Sequence, residues 1–145
     1  MKNKKNVSIL LLIIAITMSI AFFLNIEFLQ GFELYFEREY YNQFGPLVIS
    51  IELFIAGYYL FIEHQKANFA LAIFGFTALF DLIFDQIGLF ESLMPLYGTF
   101  ILTICAILCL WIAFQNVFKL KRISFVAVIA SFIFSGIIEL FFNYF

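Results

Sequence analysis

Four carboxylates sit where an apolar chain has least use for them. Glu52, Asp81, Asp85 and Glu139 each lie inside a long hydrophobic run that holds no Lys or Arg. A charged side chain near the middle of a bilayer costs several kcal/mol. With no cation on the same run, each acid must be protonated, hydrated from the surface, or bound to a cation. Such a group of oxygens suits a proton or hard-cation site, or a polar pocket for a ligand head group. The alternative is a structural hydrogen-bond network, and the sequence leaves all three readings open.

Further polar residues fall at the same level. Thr99 and Thr103 are one helical turn apart on another apolar run. Ser131, Ser135, Glu139 and Asn143 recur at spacing four and so form one helical stripe. Thr77, Asp81 and Asp85 form a second stripe, and Glu52, Ala56, Tyr59 and Glu63 a third. Stripes of this kind face one another in membrane bundles. The candidate binding residues are therefore Glu52, Asp81, Asp85, Glu139, Thr99, Thr103 and Tyr59. His64, the single histidine, follows Glu63 at the end of its run and is expected to be a solvated interface residue. No zinc- or iron-type ligand spacing, Ser/Cys/His triad or phosphate loop is present, and the sequence leaves any cofactor unknown.

The elements that must position these residues are membrane spans. The chain has 145 residues, 65% hydrophobic and only 12% charged. Soluble domains carry about 25% charged residues, so the class is a polytopic helical membrane protein. Five apolar segments run from about Val7 to Leu24, Pro46 to Ile62, Phe69 to Phe90, Tyr97 to Phe118 and Ile123 to Phe145. Each has about 17–23 residues, enough to cross a hydrocarbon core of about 30 Å. The expected fold is an all-α bundle of five transmembrane helices in a single integral membrane domain.

Charge orients the bundle. Lys2, Lys4 and Lys5, then Lys66, then Lys119, Lys121 and Arg122 form three basic clusters in alternate gaps. The positive-inside rule puts these clusters in the cytoplasm, with the N-terminus inside and the C-terminus outside the cell (inner) membrane. Glu27, Glu33, Glu37, Glu39 and Glu91 fall in the opposite gaps. In this orientation helix rise sets Glu52 about 9 Å in from the outer end of its span. Asp81 comes out about 12 Å from the outer face, and Glu139 about 6 Å. Three helices thus deliver acids to the outer half of the bilayer, Asp81 deepest.

The loop Asn25–Gly45 carries Leu29, Phe32, Phe36 and Tyr40 at helical spacing, with Glu33 and Glu37 four apart. It is expected to be an amphipathic helix on the outer surface, either an anchor or a lid over an outward-facing cavity. Cys105 and Cys109 lie one turn apart in an apolar run and are expected to be small packing residues. The first segment is longer than a signal-peptide core and lacks a clear cleavage site, so an uncleaved anchor is expected. No basic face for nucleic acid exists.

From Pro46 to Lys119 the chain resembles the DoxX-like family of small membrane proteins. The residues that carry this are Ile51-Glu52-Leu53-Phe54-Ile55-Ala56-Gly57, the basic turn at Lys66, and Leu110-Trp111-Ile112 with its polar, then basic tail. The resemblance implies a four-helix bundle linked to quinone-related oxidoreductase complexes. It transfers no catalytic residue, and the first and fifth segments depart from the family pattern.

The expected function is a non-enzymatic accessory or assembly partner of a membrane complex, with a carboxylate-lined pocket in the outer half of the bilayer. Its surroundings are the lipid bilayer, and its candidate partners are another membrane protein or further copies of itself. The alternatives are a proton- or cation-coupled transporter or channel acting as an oligomer, or a lipid- or quinone-modifying membrane enzyme.

The topology has a direct test. Lys66→Cys or Lys121→Cys should react with a membrane-impermeant thiol reagent only after permeabilisation. Glu37→Cys should react in intact cells. The reverse pattern would overturn every depth given above.

Overall fold

The computed structural model describes residues 2–28 and 31–144, without the side chains of Lys2 and Tyr144. Leu29, expected on the apolar face of the first loop, and Phe145, expected at the end of the fifth span, lie outside the described residues. The architecture is all-helical. Helix α1 covers Lys2–Leu24, and a short 3-10 turn covers Phe32–Phe36. They are followed by α2 (Arg38–Asn42), α3 (Gly45–Phe61), α4 (Ala67–Gln86), α5 (Leu96–Gln115) and α6 (Phe125–Tyr144). Five helical segments are long and apolar enough to cross a membrane: α1, α4, α5, α6 and the stretch Arg38–Phe61, which takes in α2 and α3. One end of the bundle carries the lysine clusters and is called the basic end; the other is the far end.

Helix α4 is the hub. It packs against α3, α5 and α6, while α1 packs mainly on α3. Leu53, Ala56 and Leu60 of α3, Leu71, Phe74 and Ala78 of α4, and Leu102, Ala106 and Cys109 of α5 form the core. Cys105 and Cys109 are both buried and free. The α4–α5 approach is close enough to need Gly75: a Cβ there would stand 2.5 Å from Leu110 Cγ and 3.2 Å from the Ala106 carbonyl oxygen. Small residues at such positions let membrane helices gain packing contact where no hydrophobic force drives them together. The outward faces of α1, α5 and α6 carry large exposed side chains, among them Ile13, Ile20, Phe100, Trp111, Phe125, Phe134 and Phe141.

Most span limits agree with the hydropathy reading to within a few residues. The third span differs: α4 stops at Gln86, short of the expected Phe90. The cause is Gly88, whose φ of +72° puts it in the left-handed region. The Gly88 N–H donates to the Asp85 carbonyl at 3.0 Å and the Leu89 N–H to the Phe84 carbonyl at 2.9 Å. This is the Schellman pattern that ends a helix at a glycine. At the other end of the next helix Asn116 does the same work with φ 47°, a conformation asparagine tolerates better than most residues.

The first far-end loop is also helical, but in two short pieces. Glu37 is extended, with ψ 141°, and separates the 3-10 turn from α2. Phe32 and Phe36 are both well exposed, the first at 80%. Tyr40 packs edge-on against Tyr35, Tyr41 and Phe44, and α2 lies against α6. The aromatic pairs hold α2 over the far end of the bundle instead of leaving one continuous helix on the surface.

Polar ties close the basic end. Lys4 Nζ meets Glu63 Oε1 at 2.8 Å, joining α1 to the turn after α3. That ammonium, hydrogen-bonded to the exposed carboxylate, holds Glu63 below the usual carboxylate range. The buried Asn68 amide donates to Asn116 Oδ1 at 2.8 Å and to the Lys121 carbonyl at 2.9 Å, fastening the α5–α6 connection to the first turn of α4.

Gly88→Ala should lower thermal stability by about 1–2 kcal/mol, the cost of a Cβ in left-handed backbone. Gly45→Ala, in helical backbone with nothing within 4 Å of the added carbon, should be neutral or stabilising. Melting curves of the two purified variants in detergent check this; equal losses would contradict the assignment.

Candidate functional site

The far half of α4 brings carboxylates together because α4 sits between α3 and α6. Asp81 is only 5% exposed and Glu139 2%. Glu139 lies within electrostatic reach of both Asp81 and Glu52. Acids from three helices therefore face one junction inside the bundle. Among the described residues, no three His, Cys, Asp or Glu side chains converge closely enough to hold a metal ion.

The four acids differ in what surrounds them. The Ser92 hydroxyl donates its single proton to Asp81 in a bifurcated hydrogen bond, with both carboxylate oxygens 2.9 Å away. Asp85 accepts the Ser92 backbone N–H at 2.9 Å, and the Ser92 oxygen in turn accepts the Met94 N–H at 3.2 Å. One serine in the α4–α5 loop thus clasps both aspartates and folds the loop over the end of α4. Glu139 accepts from the Asn143 amide, at 3.3 Å to Oε2 and 2.8 Å to its carbonyl. These three acids have partners.

Glu52 is held least. Both its oxygens are buried and receive no hydrogen bond by strict geometry among the described residues, with the Thr77 hydroxyl the one polar side chain within reach. The hydroxyl beside it, Thr77 Oγ1, donates to the Ile73 carbonyl at 2.9 Å instead. The Ser135 hydroxyl of α6 donates to that same carbonyl, also at 2.9 Å. The α4–α6 seam thus uses the two hydroxyls nearest the junction and leaves the Glu52 carboxyl group alone. A buried polar group without a partner costs roughly 1–3 kcal/mol if neutral and more if charged.

The other residues singled out from the sequence stand elsewhere. Thr99 and Thr103 line a groove of about 270 Å³ with Leu82, Phe100 and Ile104, on the α4–α5 seam. The Thr99 hydroxyl donates to the Pro95 carbonyl at 3.3 Å. Tyr59 lies at the basic end, its ring 4.7 Å from that of His64, two turns along α3 from Glu52. Glu63, on the expected Glu52 stripe, has left the helix with φ 58° and pairs with Lys4. The serine stripe of α6 is buried throughout: Ser131, Ser135, Glu139 and Asn143 all face inward.

Sequence reasoning missed Ser92. Its only signal is a serine in a short loop after an acidic helix end, and its reach to Asp81 depends on the Gly88 turn. A separate cleft of about 320 Å³ opens at the far end between Phe22, Asn25, Glu27, Gln43, Pro46, Leu93 and Pro95. None of the junction acids lines it.

Comparison with known protein families, curated proteins and solved structures gives no significant match.

Ser92→Ala should destabilise the protein by about 1–3 kcal/mol by orphaning Asp81. Asp81→Asn should cost less, because an amide still accepts from the serine. If the contact carries the loss, the double variant should lose less than the sum of the two. Strict additivity in thermal melts would show that Ser92 and Asp81 act independently.

Proposed function

We propose that this chain is a small, non-enzymatic, multi-pass protein of the cell membrane. It serves a larger membrane complex as an accessory or assembly partner and contributes a proton-exchanging carboxylate site near the outer face. The observation that supports the site is the Glu52 carboxyl group, buried, receiving no hydrogen bond and within electrostatic reach of Glu139, which also lies within reach of Asp81. Low dielectric makes an unpaired buried ion very costly. The group therefore holds a proton when the junction is closed and releases it only when water or a cation reaches it. The outer position of the site follows from the positive-inside rule applied to Lys4, Lys5, Lys66, Lys119, Lys121 and Arg122.

A second reading has its own support. Asp81 and Asp85 hold the α4–α5 loop through Ser92, and Glu139 is hydrogen-bonded to Asn143 one turn along α6. On that reading the acids are packing polar groups of an assembly partner, and no proton moves. A self-sufficient proton- or cation-coupled carrier would need several copies of so small a bundle to enclose a path.

Infrared difference spectra of the purified protein across a pH jump separate the two. A protonated carboxylic C=O band should appear and disappear with pH, and Glu52→Gln should remove it while leaving the melting curve in place. Spectra with no pH-dependent carboxyl band, or a band untouched by Glu52→Gln, would sink the proton-exchange reading. Proton flux into dye-loaded liposomes, abolished by Glu52→Gln, would promote the protein from accessory partner to carrier.

A further inference from the structure

The basic end holds a second polar site, independent of the carboxylate junction. A groove of about 480 Å³ is lined by Ile62, Glu63, His64, Gln65, Lys66 and Lys121. Two separate parts of the chain build it: the α3–α4 turn and the α5–α6 connection. The connection is held in place, because the buried Asn68 amide grips the Lys121 carbonyl and Asn116. Asn116 and Lys119 both take left-handed backbone, φ 47° and 53°, which turns the connection back towards α4. Lys121 is thereby fixed across from Lys66, which immediately precedes α4.

The groove is rich in donors. Lys66 and Lys121 each offer an ammonium group and Gln65 an amide. His64 Nδ1 accepts the Lys66 backbone N–H at 3.1 Å, so a neutral His64 carries its proton on Nε2 and is a further donor. The one carboxylate at the rim, Glu63, is already paired with Lys4 at 2.8 Å. Phe61 and Ile62 are exposed apolar side chains at the same level. Clustered ammonium and amide donors next to a hydrocarbon-facing rim match a phosphate that carries acyl chains. A free phosphate would use the donors and leave the apolar rim idle.

We propose that this groove binds the phosphate head group of an anionic membrane lipid, with Lys66 and Lys121 on the phosphate and the acyl chains along Phe61 and Ile62. The purified protein, offered equal amounts of phosphatidylglycerol and phosphatidylcholine, should retain phosphatidylglycerol preferentially in native mass spectrometry. Lys66→Gln and Lys121→Gln should each reduce that retention about fivefold, the equivalent of roughly 1 kcal/mol per lysine at a membrane surface. Lys119→Gln removes the same charge but lines a different groove, with Asn3 and Lys4, and should leave retention unchanged. All three lysines are exposed, so the variants should melt with the wild type. Equal loss in all three variants would mean diffuse charge attraction and overturn the site. Equal retention of the two lipids would also overturn it. Millimolar inorganic phosphate should neither displace the lipid nor raise the melting temperature; if it does both, the ligand is phosphate and the lipid assignment falls.

Discussion

Polar side chains buried among lipid-facing helices have only the backbone and one another for partners, and α4 is where this chain collects them. The Ile73 carbonyl takes hydroxyl donors from Thr77 of its own helix and Ser135 of α6. Asn68, in the first turn of α4, holds the α5–α6 connection. Asp81 and Asp85, in its last two turns, hold the α4–α5 loop through Ser92. Apart from the Thr77 bond within α4, these ties run from α4 to three different parts of the chain. Interhelical hydrogen bonds in membranes contribute on the order of 1 kcal/mol each, so no single tie dominates. Together they fix the rotation of α4, and that rotation decides which acids meet.

The rotation is fixed on the opposite side by steric contact. Gly75 lets Leu110 and the Ala106 carbonyl come within van der Waals distance of the α4 backbone. That contact turns one side of α4 to α5. Phe76 and Phe80 lie against Phe132 of α6 on another side. Thr77 and Asp81 are left between them, buried and next to the acids of α3 and α6. The carboxylate junction is thus a consequence of how α4 packs on its other neighbours.

This explains what the sequence could and could not reveal. The spans were legible because hydropathy adds along a chain and needs no knowledge of neighbours; only the Gly88 turn shortened one of them appreciably. The stripe of Ser131, Ser135, Glu139 and Asn143 was legible from its spacing, since a continuous helix has to present it on one side. Thr99 and Thr103 form an equally regular stripe, yet they line a groove with Leu82 apart from the acids. Spacing gives a stripe its continuity and leaves its direction open. Direction comes from partners such as Gly75 and Leu110, which lie 35 positions apart in the sequence. Ser92 was hidden for a related reason: a loop residue has no periodicity, and it reaches Asp81 only after Gly88 has turned the chain.

Glu52 is the residue that the stability of the fold does not explain. A structural acid in a membrane bundle is expected to hold something, as Asp81 holds Ser92 and Glu139 holds Asn143. Glu52 receives no such bond: Thr77, the hydroxyl within its reach, and Ser135 on the neighbouring seam both donate to Ile73. Leu or Met at this position would bury well beside Leu53 and Ala56 and would remove an unpaired polar group. Packing therefore favours an apolar residue at position 52, and the one hydrogen bond within reach of an acid there is with the Thr77 hydroxyl. What a carboxylic acid brings there that Leu or Met cannot is a group able to hold a proton, set within electrostatic reach of Glu139, which in turn lies within reach of Asp81.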